Sequence, residues 1–166
     1  MSLVLHRRQF MLATGALALA NATLASSAWA ATEYGIEMLN KDPDDKKKRM
    51  LFKPIVQVVE PGDTVKFLST DKGHNSMSIK GMLPEGVEKW KSKLNKEFAL
   101  TIDKPGFYGY VCQPHASMGM VGLIVCKGDG MMDNFESAKA VKHRGRAKKI
   151  WAEIWEQVEA EGIATA

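Results

Sequence analysis

Net charge, cysteine and histidine are all scarce in this chain of 166 residues, and each scarcity removes a class of function. The formal charge of +4 includes Arg7 and Arg8, so residues 31–166 carry 21 basic against 19 acidic groups, or +2. That is not the balance of a nucleic-acid binder. Electrostatic recognition must therefore depend on where charges sit rather than on their sum. No apolar run reaches the length of a bilayer span, since Phe10 to Ala20 falls well short of the ~20 residues required. No internal repeat or low-complexity tract is present. The two cysteines, Cys112 and Cys126, permit at most one bridge.

What stands at the start is an address. An arginine pair, an apolar run and the A-x-A pattern Ala28-Trp29-Ala30 make residues 1–30 an expected export signal, removed on maturation. His6-Arg7-Arg8-Gln9-Phe10-Met11 resembles the twin-arginine signal; an ordinary secretory signal is the alternative, and both export the protein. The 136 residues left over suit a single domain with one core.

Within them, hydrophobic periodicity changes once. Tyr34, Ile36 and Met38 alternate with polar neighbours, and Phe98, Leu100 and Ile102 do the same, which is the period of a half-buried strand. Ile55 to Val59, Thr64 to Leu68, Phe107 to Cys112 and Val121 to Cys126 add further β segments, punctuated by Glu60-Pro61-Gly62-Asp63 and Pro105-Gly106. Lys41 to Arg49 is charged and holds Pro43, so it reads as a loop, and Val87 to Asn95 reads as a loop carrying a helical turn. Short strands without a βαβ rhythm imply an antiparallel sandwich or barrel.

Past Gly130 the period becomes helical. Ala147, Ile150, Trp151, Ile154, Trp155 and Val158 form one apolar stripe, while Lys148, Lys149, Glu153, Glu156 and Glu159 lie elsewhere. The tryptophans are expected to pack onto the sandwich. A shorter helix near Phe135 to Val141, capped by Asp133 or Asn134 and ended before Gly145, should precede it. The expected division is a leader at 1–30, an all-β sandwich over 31–130, and two helices over 131–166 packed on the same domain.

The chemistry concentrates in Val111 to Gly122, VCQPHASMGMVG. Cys112 ends one strand, a methionine opens the next, and His115 projects from the loop between them, so the three side chains can converge. A disulfide would explain the cysteine count, but it does not require Pro114 and His115 beside Cys112. Cys126, inside an apolar run, reads as a small buried hydrophobe. Thiolate and imidazole suit zinc or copper, whereas a thioether is a poor ligand for zinc and a good one for copper. A second nitrogen must come from His74 or His143, and Gly73-His74-Asn75 sits at the start of a β segment, whereas His143 lies in a basic connector. Two histidines, a cysteinate and a weak axial methionine make the trigonal site of blue-copper electron transfer. Spacing alone leaves Met118 and Met120 both open as that methionine. Asn75 is expected to tie the two ligand loops by hydrogen bonds.

At this point the chain resembles the pseudoazurins, small type I copper proteins of the cupredoxin family. The resemblance spans essentially the whole of residues 31–166. It rests on EMLNK at 37–41, MLFKP at 50–54, EPGDTVKF at 60–67, TDKGHN at 70–75, KGMLPEGVEKWKSKLN at 80–95 and CQPHASMGMVGL at 112–123. The resemblance implies a cupredoxin-like Greek-key sandwich, one copper per monomer held by His74, Cys112, His115 and Met120, and Asn75 and Pro114 supporting the ligands. It implies an apolar contact patch of Met50, Pro114, Ala116 and Met118, rimmed by Lys41, Lys72 and Lys91, with Lys46, Lys47, Lys48 and Arg49 adding to the rim. It further implies a periplasmic one-electron carrier, not an enzyme, that docks transiently with nitrite reductase in denitrification and with c-type cytochromes. The sequence departs from the pattern in the longer 41–50 loop and at Val111, Gln113 and Ala116.

Three other readings compete. A copper oxidase or reductase needs an open coordination position or a second metal, and His143 is the only histidine left over in the mature chain. A copper carrier would offer exposed, exchangeable sulfur. A structural zinc site would give no intense visible colour with Cu(II).

Overall fold

Alternating apolar side chains become two stacked four-stranded sheets in the computed structural model, which describes residues 31–165. The expected leader, residues 1–30, lies outside the described residues. Strands β1 (Glu33–Lys41), β2 (Arg49–Lys53), β4 (Asp63–Leu68) and β6 (Phe98–Ile102) form one sheet in the order β2-β1-β4-β6. Strands β3 (Val56–Val59), β5 (Met77–Ser78), β7 (Gly106–Val111) and β8 (Val121–Cys126) form the other in the order β3-β8-β7-β5. Helices α1 (Phe135–Lys139) and α2 (Gly145–Ala160) follow.

The sandwich is mixed rather than antiparallel. β1 runs parallel to β4 and β3 runs parallel to β8, while the other strand pairs are antiparallel. Local alternation sets which face of a strand is buried but says nothing of the direction of its neighbour. Three local expectations are also corrected. Lys41 and Arg49, expected in the charged loop, are strand residues: Arg49 opens β2, which is registered on β1 through Glu37–Lys53, Met38–Phe52, Leu39–Leu51 and Lys41–Arg49. Val87 to Asn95 contains no helical turn, and Lys91 instead makes an isolated antiparallel bridge to Met77. Asn134 occupies the N-cap position of α1 without bonding its backbone, because its side chain is engaged elsewhere.

That engagement explains how the helices attach. The Phe107 N–H donates to Asn134 Oδ1 at 3.0 Å, and Asn134 Nδ2 donates back to the Phe107 carbonyl at 2.8 Å. β5 covers β7 only at Tyr110 and Val111, so at Phe107 the outer edge of β7 would otherwise be open. The asparagine side chain acts there as a substitute strand.

Between the sheets lies one core cluster, in which Tyr110 meets Phe52 and Phe67 edge-on at 4.8 Å and 5.0 Å between ring centres. On the outer face of the second sheet, Trp151, Ile154, Trp155 and Val158 of α2 bury their stripe with Phe107, Leu123 and Val125. The tryptophans are thus core, stacked on one another at 5.7 Å. The charged loop after β1 is organised by Lys53, whose ammonium pairs with Asp42 at 2.8 Å and with Asp44. The bonds to Asp42 and Asp44 push the Lys53 ammonium up to about 12.

Candidate metal centre

One end of the sandwich gathers the donors. β7 delivers Cys112, and the chain then turns through a 3-10 segment over Gln113–Met118, opened by Pro114, before entering β8. Gly119 closes that turn with φ 82, a left-handed value that costs glycine nothing. Main-chain bonds knit the loop, from Cys112 N–H to the Met120 carbonyl at 2.9 Å and from Met120 N–H to the His115 carbonyl at 3.3 Å. His74 arrives from the separate loop between β4 and β5.

Cys112 Sγ lies 3.4 Å from His115 Nδ1 and 3.7 Å from His74 Nδ1, and the three donor atoms all fall within 4.8 Å of one another. A first-row ion with bonds of roughly 2.0–2.3 Å to nitrogen and sulfur would set such pairs about 3.6–3.8 Å apart at tetrahedral to trigonal angles. The two sulfur–nitrogen pairs therefore already stand close to metal-sharing distances. Among the described residues no other group of histidine, cysteine and carboxylate side chains meets this test.

Burial sorts the remaining candidates. Met120 is fully buried, whereas Met118 is 41% exposed, so Met120 is the methionine suited to a buried centre. Cys112 and His74 are fully buried and His115 is half-buried. Both cysteines are free thiols, which removes the disulfide reading. Burial pushes the Cys126 thiol up to about 12, leaving it an inert apolar group. His143 stands apart, stacked on Trp151 at 4.9 Å.

Burial dominates the electrostatics of the centre. Burial pushes the Cys112 thiol up, with the Asn75 and His115 backbone amides pulling partly back. Burial, and then the neighbouring His115, hold the His74 imidazole down. A neutral imidazole is the form that ligates a metal, whereas metal uptake must displace the Cys112 proton.

Asparagines hold the donors in place. Asn75 Oδ1 accepts the Gln113 N–H at 2.9 Å while its Nδ2 donates to the Ser92 carbonyl at 3.4 Å, so it bridges the two ligand loops. Two further clamps were not foreseen. Asn40 Oδ1 lies 3.1 Å from His74 Nε2 and orients the ring with Nδ1 toward the thiol. Asn95, at φ 59, donates its N–H to the His74 carbonyl at 2.9 Å and accepts the Gly73 N–H. Asn40 joins the metal loop from 34 residues away, a contact that leaves no periodic trace in a sequence.

Beside His115 in the chain, Pro114, Ala116 and Met118 are exposed, and Met50, which lines a cavity with Met118, is half-buried. Met50 takes φ 52, and the β1–β2 pairing skips its step opposite Asn40. Lys41, Lys72 and Lys91 are all exposed, as are Lys46, Lys47, Lys48 and Arg49.

Two imidazoles and a thiolate, with a buried thioether beside them, define a single-ion centre for a soft redox metal. The comparisons with known proteins agree. The family model "Copper binding proteins, plastocyanin/azurin family" matches residues 39–127. A pseudoazurin of Methylorubrum extorquens is 41% identical over 149 residues, covering 90% of this chain and 96% of that protein. One from Paracoccus pantotrophus is 44% identical over 134 residues, covering 81% and 88%. The crystal structure of pseudoazurin from Methylobacterium extorquens AM1 superposes with a TM-score of 0.70 at 42% identity, covering 76% of this chain and 98% of that one. The chain belongs to the plastocyanin/azurin family of copper-binding proteins and, within it, to the pseudoazurins. Copper is its cofactor, and copper electron transfer is the activity this membership carries.

Proposed function

We propose that this protein is a periplasmic carrier of single electrons, with nitrite reductase of a denitrifying bacterium on one side and a c-type cytochrome on the other. Copper, held by His74, Cys112, His115 and Met120, supplies a one-electron couple. The chain's own residues do the rest. His74, Cys112 and Met120 are sealed from water, and the clamps from Asn40, Asn75 and Asn95 give the donors positions that need not move between oxidation states. A centre held by four protein donors would leave no position for a substrate, which favours a carrier over an enzyme.

The observation that carries the reading is the exposure of one donor alone. His115 is half-buried and flanked in the chain by apolar Pro114, Ala116 and Met118, so its imidazole edge gives a partner its closest approach to the centre. An apolar contact sheds water easily, and the exposed Lys41, Lys72 and Lys91 attract an acidic partner surface over longer range. Such an interface should be small and short-lived, suiting a monomer that must leave quickly.

Two measurements test this. Mature protein loaded with Cu(II) should show an intense thiolate-to-copper absorption that Cys112→Ser abolishes. Its electron-transfer rate with a copper nitrite reductase, followed by stopped flow, should fall steeply as salt rises. An intense band surviving Cys112→Ser would remove the ligand assignment, and a rate indifferent to salt would remove the lysine-steered docking.

A further inference from the structure

Beside the centre, but not part of it, a cavity of about 680 Å³ opens between β2 and α2. Its floor is apolar, with Phe52, Ile55 and Val121 below and the half-buried Ile150 and exposed Met118 as walls. Its narrow end is at Gly119, where an added Cβ would stand 3.1 Å from both Arg146 Cγ and Ile150 Cγ1.

The rim has the opposite character. Lys48, Arg49, Arg146 and Lys149 line it together with Lys53, against the acidic Asp42 and Glu153. Both acids are engaged, Asp42 by Lys53 at 2.8 Å and Glu153 by Lys149 at 3.9 Å. Among the described residues no carboxylate lies within ion-pair distance of Lys48, Arg49 or Arg146. Three free cations thus surround an apolar hollow.

We propose that this cavity binds a free single-chain amphiphile with a carboxylate head, its tail among Ile55, Ile150 and Met118 and its head on Arg49 and Arg146. A concavity of this size is in the range of small-molecule sites, roughly 300–1,000 Å³, and is poorly matched to a flat protein face or a membrane surface. Guanidinium groups take carboxylates in bidentate fashion, which favours an anion over a neutral chain. The cationic rim also excludes an amphiphile with a basic head.

The test uses isotope-labelled protein loaded with Cu(I), titrated with dodecanoate below its critical micelle concentration and read on backbone amide shifts. Saturable shifts confined to Gly119, Val121, Ile150 and Gln157 are expected. Decanoate, two methylenes shorter, should bind about fifteenfold more weakly, since each buried methylene changes affinity roughly fourfold. Arg49→Glu with Arg146→Glu, both exposed positions that leave the core untouched, should weaken dodecanoate at least about tenfold by removing charge-assisted bonds. Dodecyltrimethylammonium should leave these amides unmoved. The proposal is overturned by shifts that do not saturate or lie elsewhere, by equal binding of the cationic amphiphile, or by a charge-reversed variant that is well folded and binds unchanged. A response to phosphatidylglycerol vesicles without one to monomeric dodecanoate would also overturn it, by revealing adsorption to a lipid surface. Because the readout is amide shifts and not electron transfer, its failure leaves the carrier reading intact, and the reverse also holds.

Discussion

Replacing Asn134 with alanine tests how the helices are joined to the sandwich. The asparagine is 7% exposed and grips Phe107, which is fully buried, through bonds of 3.0 Å and 2.8 Å. Alanine removes both partners at once and leaves a backbone N–H and a backbone C=O unpaired at the edge of β7. An unsatisfied buried polar group costs about 1–3 kcal/mol, so two cost about 2–6 kcal/mol. We expect about 3–4 kcal/mol, because water can enter the space that the amide vacates and recover part of the loss. For a domain of this length each kcal/mol lowers Tm by about 3–4 °C, so the drop should be about 10–15 °C. Urea unfolding followed by tryptophan fluorescence measures it directly, since Trp151 and Trp155 lie on the buried face of α2 and a single domain of this size unfolds in one step. Ser137→Ala is the control: its hydroxyl bonds only the Asn134 carbonyl, at 2.9 Å and half-buried, and its loss should cost about 1 kcal/mol or less. The copper absorption of folded Asn134→Ala should be unchanged, because the centre lies at the other end of β7. A loss below about 1 kcal/mol would refute the idea that this side chain substitutes for a strand.

Two further outcomes follow from side chains near the centre and the helices. Asn40→Ala frees His74 Nε2 and should lower copper affinity by about 10–100-fold in a chelator competition, as loss of an outer hydrogen-bond partner does at other metal sites; an affinity within about threefold of the original would exclude the clamp. Burial holds the His143 imidazole below its ordinary value, and its Nε2 has no hydrogen-bond partner. Its contribution to stability is therefore complete above the unfolded pKa of about 6.5 and is lost as pH falls through the lower native value. Lys139, Lys142 and Lys148 line the cavity beside it and offer no carboxylate to stabilise the charged form. The Tm of the protein should drop more between pH 7.5 and 5 than that of His143→Gln, and equal slopes would refute it.

Much of the architecture could be read from local pattern. Ile36 and Met38 alternate into the core, and the stripe of α2 buries Ala147, Trp151, Ile154, Trp155 and Val158, because burial of one face imposes a period on its own residues. β5 escaped notice because two residues cannot show a period, and the parallel β1–β4 pairing because direction is settled by chain path. In the centre, Cys112 and His115 were legible because they lie within one short loop, and His74 because few histidines remained to choose from. The methionine was not settled by spacing, because Met118 and Met120 both lie within reach on one short stretch and differ in depth. Asn40 and Asn95 were missed for a different reason. Asparagine is common in turns, so one that clamps a distant imidazole looks like any other until the fold closes.

The three asparagine clamps have a consequence for metal exchange. Each acts through protein atoms alone, so the spacing of sulfur and nitrogens is a property of the polypeptide rather than of the ion. A visiting zinc or cobalt ion should find its coordination dictated by the host and distort toward the arrangement copper uses, instead of reshaping the loop to its own taste. Selectivity would then lie with which ion reaches the folded chain first and how slowly it leaves.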